Sequence, residues 1–522
     1  MKGVLLSVVM LLGINGSISG QLVQTDRYEL EKKNEDDYFT VVSADAHGLV
    51  IFRDTEEYRR YEGDIWQVVG LDTALTERWE QELAIDERYI FKGYECADTR
   101  LFLLFSESES PSSDYYLVTI GIIDGKIIEH HIKNEIELEL SHLIVVNNYL
   151  IMGGYVRLSP TLVSYNFGED RVHVIPGFFK DRSDIIDLRA NDNGTFNCLT
   201  LLKGYNGYHL NLSTHSPKGV ILFEKDIRIN NYQVLNGKST GFVDGNIVVT
   251  GTFGNPSTYF AQGIYFAIVK PEGQDNIVKF YNFSQLEHFF DYMGPRRAAR
   301  MKKRIDNRLA KGKEFRYTSR LILHKVQKHT NGYLLAAEIY NPQFEHIGST
   351  IYPYGFGNNS IDYGTYSNTA HQRYVKRPGR YANIDNANHF EYLESVIVKL
   401  DENGELAWDN SFKVEKVESY SLEQVVDFNS SNEKISLLYS TEDGLNYKAI
   451  DASETIVKLQ EPLMLKHEQD AVKHTFEGVG GTRHWYDDYF YVWGYHRIEN
   501  KENPEVDNKR NVLYINKVMV KY

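Results

Sequence analysis

Cysteine is almost absent from the chain, which has two in 522 residues. This excludes a fold held together by several disulfides and a zinc site built from thiolates. Positive charge is also in deficit, because 57 Lys and Arg oppose 72 Asp and Glu. The net charge of −15 argues against a surface that lies on DNA or RNA, so no nucleic-acid partner is predicted. Beyond the first twenty residues, no apolar run approaches the roughly eighteen residues of a membrane-spanning helix.

Aromatic residues are abundant by contrast, since 37 Tyr and 26 Phe bring the aromatic share to 13%. β-Strands accept aromatic side chains well, so this excess favours an all-β fold. The hydrophobic share of 42% and the charged share of 25% are those of a globular protein. A length of 522 residues fits one large β domain as well as two average domains.

The first twenty residues have the organisation of a signal peptide. Lys2 supplies the positive start and Val4–Leu12 the apolar core. The small residues of a cleavage site follow at Gly16, Ser17, Ser19 and Gly20. A buried first strand is the alternative. The prediction is an exported protein that is soluble after cleavage, in a periplasm or outside the cell. The fold is predicted for residues 21–522 as a single domain.

Two segments share a pattern of strand, polar turn and strand. Leu71–Trp79 and Leu400–Trp408 each begin with Leu-Asp, and in each a Trp follows eight places after the Leu. A third segment, Tyr265–Gly273, keeps the strand and the turn but lacks the Trp. This pattern is typical of a β-hairpin, so the chain is predicted to repeat one hairpin unit.

A second series of turns falls between these hairpins, and an apolar run follows each turn. The turns lie at His47-Gly48, Thr99-Arg100, Asn147-Asn148, Asn193-Gly194, Asp244-Gly245, Asn331-Gly332, Asn432-Glu433 and Asp487-Asp488. Pairs such as Asn-Gly and Asp-Gly accept the positive φ of tight hairpin turns. The successive spacings are 52, 48, 46, 51, 87, 101 and 55 residues, so five of the seven lie near 50.

Units of this length with four strand-like segments each are the signature of a β-propeller. We predict an all-β fold, a β-propeller of eight four-stranded blades. Seven blades and a two-domain β-sandwich are the alternatives. The last unit shows only three strands, so the spare strand at Arg27–Lys33 is predicted to complete it and close the ring. Cys96 and Cys198 fall two units apart and are predicted to be free, buried thiols, with a disulfide between them as the alternative.

The two long spacings imply two insertions, at about 284–319 and about 343–391. The first lies between units five and six, and the second lies between the second and third strands of unit six. Consecutive loops of a four-stranded meander alternate between its two ends. Both insertions are therefore predicted to lie on one face of the ring, and long insertions in a compact domain usually bind something.

The first insertion is predicted to be a basic helical pair. Ser284 and Glu287 form a capping box for its first helix, and the second helix is predicted over about 296–311. An apolar stripe for docking on the ring consists of Ala298, Met301, Ile305 and Leu309. The stretch from Pro295 to Lys313 contains nine basic residues: Arg296, Arg297, Arg300, Lys302, Lys303, Arg304, Arg308, Lys311 and Lys313.

With Asp306, these nine residues give a net charge of +8 over 19 residues of an acidic chain. Such a local excess predicts a binding surface. A merely solvated helix face is one alternative, and weak contact with an anionic membrane surface is another.

The second insertion is rich in tyrosine and has basic residues near its end. Its candidate binding residues are Tyr352, Tyr354, Tyr363, Tyr366, Arg373, Tyr374, Arg377 and Arg380. Tyr and Arg dominate binding hot spots because both bury area and donate hydrogen bonds. The same composition suits glycan recognition by stacking on sugar faces, and a lid that only packs on the ring is the alternative.

Three clusters have the residue types of catalytic or metal sites, but none is predicted to be one. Glu129-His130-His131 lies in an alternating strand, where adjacent side chains face opposite sides. Asp401–Gly404 lacks the remaining ligands of a calcium loop, so a hairpin turn explains it better. Arg483–Asp488 holds acid–base residues near a turn, but nothing there fixes a reaction. The sequence therefore predicts no catalytic residue, no metal site and no cofactor.

Three segments resemble a family of exported, functionally uncharacterised β-propeller-like proteins of the Bacteroidota. They are Ser284–Met293, Arg320–Pro342 and Leu400–Phe412, and the stretch from Ser284 to Phe412 that contains them is about a quarter of the chain. The motifs Ala-Glu-Ile-Tyr-Asn-Pro and Ala-Trp-Asp-Asn-Ser-Phe carry the similarity. The resemblance implies an address in a Gram-negative envelope and brings no catalytic residues.

The predicted function is that of an exported, non-enzymatic β-propeller that binds or scaffolds a protein or glycan of the cell envelope. In this hypothesis Arg pairs with carboxylate or phosphate, and Tyr supplies rigid buried area. The alternative is a glycan-active enzyme, a hydrolase or lyase with its site at the axial pocket, which convergent carboxylates there would favour. A structural ring with a solvated insertion is the third hypothesis.

Overall fold

The computed structural model describes residues 21–521 apart from 33–37, 109–110, 158, 177–182, 205–206, 228, 230–231, 244, 256–259, 272–275, 344–388, 420–421, 432, 477–478 and 505. The predicted signal peptide and most of the second predicted insertion lie outside the described residues. Almost every regular element in the described part is a β-strand, and these strands form seven antiparallel sheets.

The strand β1 (Gln21–Glu31) comes first, and eight successive groups of strands, which we call units, follow it. Unit 1 contains β2 (Thr40–Ser43), β3 (Leu49–Arg59), β4 (Gly63–Leu71) and β5 (Glu77–Ile85). Unit 2 contains β6 (Ile90–Ala97), β7 (Arg100–Ser106), β8 (Ser112–Gly121) and the first part of β9 (Ile127–Val146). Unit 3 contains the rest of β9, β10 (Tyr149–Val156), β11 (Ser159–Asn166) and β12 (Arg171–Val174).

Unit 4 contains β13 (Ser183–Ala190), β14 (Phe196–Gly204), β15 (Gly207–His215) and β16 (Ile221–Ile227). Unit 5 contains β17 (Lys238–Ser239), β18 (Ile247–Asn255), β19 (Phe260–Val269) and β20 (Ile277–Asn282). Unit 6 contains β21 (Leu321–His329), β22 (Gly332–Gln343), β23 (His389–Leu400) and β24 (Leu406–Lys413), and the short β25 (Glu418–Ser419) pairs with β23.

Unit 7 contains β26 (Asp427–Ser431), β27 (Lys434–Thr441), β28 (Gly444–Asp451) and β29 (Glu454–Glu461). Unit 8 contains β30 (Ala471–Thr475) and β31 (Gly481–His484), which both pair with β32 (Tyr489–Glu499), and β33 (Lys509–Lys521). The helical elements of the described residues are the 3-10 turns Asp45–His47, Phe283–Gln285 and Asp291–Met293 and the helix α1 (Pro295–Leu309).

Units 2 and 3 share the long strand β9, which makes one seven-stranded sheet of the two. Its first part pairs with β8 and its last part, Glu139–Val146, pairs with β10. Within unit 2, β7 is buried along nearly its whole length, because neighbouring units cover both of its faces. The outer strand β5 of unit 1 instead alternates exposed charged residues with buried ones.

Seven of the eight predicted turns join the first and second strands of a unit, the eighth joins β31 to β32 in unit 8, and each turn has a residue with positive φ. These residues are Gly48 (123°), Thr99 (64°), Asn147 (52°), Gly194 (77°), Gly245 (77°), Asn331 (51°), Glu433 (69°) and Asp487 (47°). A residue in this region lets the chain reverse tightly with the twist of the flanking strands. The predicted turns are therefore confirmed, although Asp244 and Asn432 themselves lie outside the described residues.

The two Leu-Asp hairpins are built alike and join the third and fourth strands of units 1 and 6. Asp72 Oδ1 accepts hydrogen bonds from the backbone N–H groups two and four residues further on, each at 2.8 Å. Asp401 Oδ1 accepts the same two bonds at the same distance. The repeated hairpin is confirmed, and Asp401 is a turn residue, as predicted.

Hydrophobic cores lie between neighbouring units. One cluster joins units 1, 2 and 3, and further clusters join each unit to the next as far as unit 8. A last cluster joins unit 8 to unit 1, with Leu513 and Tyr491 packed near Leu49. This closed succession of four-stranded meanders is a β-propeller, so the predicted fold class is confirmed. The count of eight blades stays a prediction.

The N-terminal strand completes the last unit, as predicted. β1 pairs antiparallel with β33 over its whole length and becomes the outermost strand of unit 8. A buried ionic network supports this pairing. Arg510 Nη2 of β33 donates to Glu29 Oε2 of β1 at 3.1 Å and to Asp470 Oδ2 at 2.7 Å. The two cysteines are free and buried, also as predicted.

The first insertion contains one α-helix in place of the predicted helical pair. The predicted second helix is confirmed as α1, but the predicted first helix, from Ser284, is wrong. Phe283 and Phe289 stack with ring centroids 4.1 Å apart in the core under this segment. The backbone N–H groups of Glu287 and His288 donate to Asp409 of β24 at 2.7 and 2.8 Å. These tertiary contacts replace the hydrogen bonds that a helix would make.

Candidate functional site

Helix α1 docks on the ring between units 5 and 6 through one narrow apolar side. Ala298 and Ile305 are buried and Met301 is half-buried against the core that these two units share. The predicted contact of Leu309 is wrong, because 55% of this residue is exposed. The helix ends there, and the N–H of Gly312 donates to the Leu309 carbonyl while the chain turns back with φ at +65°.

Two buried carboxyl groups of unit 6 fix the segment that leads into α1. Asp409 accepts the two backbone hydrogen bonds described above, and Glu394 Oε2 of β23 accepts one from the N–H of Tyr292 at 3.1 Å. Burial raises the pKa of Glu394 to about 8. The entry to the helix is therefore held by its neighbouring unit, so α1 has a defined position on the ring.

Seven basic side chains of α1 face solvent: Arg296, Arg297, Arg300, Lys302, Lys303, Arg304 and Arg308. Among the described residues, no carboxylate forms an ion pair with any of them. Asp306 is the sole acidic residue of the helix. All six helical candidates of the sequence prediction are thus exposed on α1, and we call the positive surface that the seven side chains form the α1 basic surface.

An open groove of about 490 Å³ adjoins the C-terminal end of α1. Its lining residues are Arg308, Lys313, Glu314, Phe315 and Arg316. Glu314 Oε2 accepts a hydrogen bond from Arg316 Nε at 3.0 Å, so one acid is opposed by three cations. Sequence reasoning missed Arg316 and Phe315, although the basic character of the chain continues past Gly312 and could have indicated them.

The Tyr-rich candidates lie outside the described residues, within 344–388. The structure describes the strand ends that flank this segment, where Gln343 of β22 pairs with His389 of β23. Leu321, the first residue of β21 after the α1 insertion, pairs with Ile339 near the same end of the sheet. The flanks of both insertions therefore meet at one end of unit 6. The position of the Tyr-rich residues themselves stays a prediction.

The segment Arg483–Asp488 takes part in a buried network of units 6, 7 and 8. Asp427 Oδ1 pairs with Lys325 Nζ at 2.8 Å, and Asp427 Oδ2 accepts from the N–H of His484 at 2.8 Å. Arg483 Nη1 donates to the carbonyl of Gln424 at 2.6 Å. Burial opposes ionisation of Asp427, but the charges of Lys325 and Arg483 outweigh it and hold the pKa below its usual range. These contacts hold units together.

The Glu129-His130-His131 segment behaves as its alternation predicts. His130 Nδ1 lies 3.2 Å from the hydroxyl of Tyr165, whereas the ring of His131 packs against Tyr116 with centroids 5.0 Å apart. In the described part of the chain, no three His, Cys, Asp or Glu side chains are placed to hold a metal ion. Nor does any helix there have the length and apolarity to cross a membrane.

The fold and the α1 basic surface define a β-propeller with a basic helical insertion between two of its units. No protein-family model and no curated protein matches the chain. The structure of the polysaccharide lyase Uly1 is similar at 8% identity, over 92% of this chain and 99% of the lyase, with a TM-score of 0.37.

Two further solved structures are similar at the same low level. An ulvan lyase of polysaccharide lyase family PL25 is 9% identical over 81% of this chain and 90% of its own, with a TM-score of 0.38. The β-propeller domain of the Trilobed protease from Pyrococcus furiosus is 7% identical over 81% of this chain and 97% of its own, with a TM-score of 0.32. These likenesses concern the arrangement of strands and carry no conclusion about activity.

Proposed function

We propose that this chain is an exported, non-enzymatic β-propeller that binds a protein or glycan of the cell envelope through the α1 basic surface. One observation carries the proposal. A helix fixed to the ring by a few apolar contacts and two buried carboxyl groups presents seven exposed basic side chains that pair with no described carboxylate. An acidic partner would supply the missing counter-charge.

The proposed address has a separate basis. Residues 1–20 have the composition of a signal peptide, and the resemblance to exported proteins of the Bacteroidota adds the envelope of a Gram-negative cell. The Tyr-rich segment within 344–388 is proposed as a second part of the contact surface, because the strand ends that flank it share one end of unit 6 with the α1 insertion.

A glycan-active enzyme with an axial site remains the second hypothesis, and no specific observation favours it. Two carboxylates on the first strands of their units, Asp187 and Asp427, already form hydrogen bonds or ion pairs within the protein. Asp187 Oδ2 accepts from the N–H and the hydroxyl of Ser239 at 2.7 and 2.5 Å, and Asp427 pairs with Lys325. Neither is free for acid–base work on a substrate.

Affinity capture from the native envelope tests the proposal. The parent protein is compared with the triple variant Arg296→Gln, Arg300→Gln and Lys303→Gln, and captured molecules are identified by mass spectrometry and sugar analysis. The matched control neutralises three exposed lysines away from α1: Lys126→Gln, Lys218→Gln and Lys466→Gln. We expect a partner that is retained by the parent and the control and is lost with the triple variant. Equal capture by all three proteins would refute the proposal.

A further inference from the structure

The basic residues of α1 form two parallel rows. With 3.6 residues per turn, Arg296, Arg300 and Lys303 lie along one line of the helix surface. Arg297, Arg304 and Arg308 lie along a neighbouring line. At a rise of about 1.5 Å per residue, the rows are about 10 and about 16 Å long. The surface is thus an elongated track of a single charge sign.

This arrangement does not stabilise the helix itself. Arg296 and Arg300 are four residues apart, as are Arg300 and Arg304 and then Arg304 and Arg308, and like charges at this spacing repel. The first turn has two arginines and no acid, which is the unfavourable sign for a helix N-terminus. The track therefore costs stability in the free protein, and an anionic ligand would offset this cost.

The track continues into the groove at the end of the helix. Arg308 belongs both to the second row and to the groove lining, where Lys313 and Arg316 add two further cations and Glu314, which pairs with Arg316, is the one acid. Half-buried Phe315 provides an apolar surface between them. A ligand that follows the rows therefore meets one more cluster of donors beside an aromatic ring. This suits a long, flexible anion better than a compact one.

The apolar content of the surface discriminates between classes of partner. Leu309 is the one large apolar residue of α1 that is exposed, and the rest of its apolar side is turned to the ring. A protein interface needs buried aromatic or apolar anchors at its centre, and a membrane-bound helix needs an apolar face towards the lipid. The helix offers neither of these, because Leu309 is a single exposed residue and Phe315 is a single half-buried ring at the end of the track. A linear polyanion needs only charges and hydrogen-bond donors in a row.

We infer that the α1 basic surface and its groove bind a linear anionic polysaccharide, one that has sulfate or uronate groups along the chain. This rests on the proposed function and names the class of its partner. The five arginines of the helix match these groups, because the guanidinium donates two parallel hydrogen bonds to a planar or tetrahedral oxyanion. Phe315 would pack against a sugar ring at the end of the track.

Binding of fluorescent chondroitin sulfate tests the inference, with hyaluronan as a probe that has uronate alone and dextran as a neutral one. The intact parent is expected to bind one or both anionic probes, more weakly as salt rises, and not to bind dextran. The variant Arg297→Gln, Arg304→Gln and Arg308→Gln is expected to weaken binding at least about tenfold, because it removes three charged donors. The control variant at Lys126, Lys218 and Lys466 is expected to stay within about twofold.

Two measurements keep failure of binding distinct from failure to fold. Circular dichroism of each variant shows whether the protein is intact. The charge-preserving variant Arg297→Lys, Arg304→Lys and Arg308→Lys is expected to bind with intermediate affinity, because lysine keeps the charge but loses the planar fork.

The possible results separate this inference from the proposed function. If the parent binds neither polysaccharide while envelope capture still depends on α1, the inference is wrong and the proposed function stands. Equal binding of polyglutamate, duplex DNA or anionic vesicles would also overturn the polysaccharide assignment. If neither capture nor polysaccharide binding depends on α1, both fail.

Discussion

At the scale of single residues, Asp427 connects three units of the ring. It accepts a hydrogen bond from Lys325 of unit 6 and one from the backbone of unit 8, and it is itself buried in unit 7. We expect Asp427→Asn to lower the free energy of unfolding at neutral pH by about 3–5 kcal/mol, because Lys325 would lose its buried counter-charge. Chemical denaturation of the parent and the variant measures this.

The pH dependence of this effect has a definite sign. The folded-state pKa of Asp427 lies below its usual value, so its stabilising effect is present above about pH 4 and is lost as the pH falls further. The stability difference between parent and Asp427→Asn should therefore shrink between pH 5 and pH 3. A difference that stays constant would contradict the ion-pair account.

Glu394 should show the opposite dependence. Burial raises its folded-state pKa to about 8, whereas in the unfolded chain it titrates near the usual value of about 4.3. The folded protein therefore holds one more proton than the unfolded chain between these values, and its stability falls as the pH rises. Glu394→Gln has no proton to lose, so its stability relative to the parent should rise from pH 5 to pH 8. Denaturation at both pH values checks this, and a relative stability that falls instead would refute it.

The chemistry of single residues also explains which parts of the fold can be predicted from the sequence. The eight turns depend on local backbone preferences, so pairs such as Asn331-Gly332 identify them from sequence. The two carboxyl groups that hold the entry to α1 lie more than a hundred residues further along the chain than the amides they bind. No local pattern encodes such contacts, which is why the segment from Ser284 was wrongly predicted to be a helix.

At the scale of elements, α1 was predictable and its environment was not. The periodic apolar positions correctly predicted the helix and two of its buried contacts, Ala298 and Ile305. They did not give the point at which the chain leaves the ring, so Leu309 was wrongly placed in the contact. The groove residue Arg316 was missed for the same reason, since it becomes part of the surface only after the chain turns back.

The docking of α1 can be tested at its apolar side. Ile305→Ala removes most of a side chain that is 6% exposed, and we expect it to cost about 2–5 kcal/mol of local stability. Leu309→Ala is the matched control, expected to change stability by less than about 0.5 kcal/mol because the residue is exposed. Hydrogen exchange of residues 295–309 measures both effects. Comparable effects of the two changes would contradict the described packing.

At the scale of the whole molecule, closure of the ring depends on β1. A protein that lacks residues 21–31 exposes the full edge of β33 and loses the contact between Glu29 and Arg510. We expect it to unfold at a lower temperature and to aggregate, because unpaired strand edges associate. Thermal unfolding and size-exclusion chromatography measure the two effects.

A peptide of sequence Gln21–Glu31 provides the control for this deletion. Added in excess, it should pair with β33 and restore thermal stability, whereas a scrambled peptide of the same composition should not. Equal rescue by both peptides, or a deletion without effect, would show that β1 does not close the ring.

Binding of the polysaccharide should be confined to one helix and its groove. Hydrogen exchange of the intact protein with and without saturating chondroitin sulfate tests this most directly, because it maps protection along the entire chain. We expect slower exchange in residues 295–316 and in few other described segments. Protection of other segments with no change in 295–316 would contradict it.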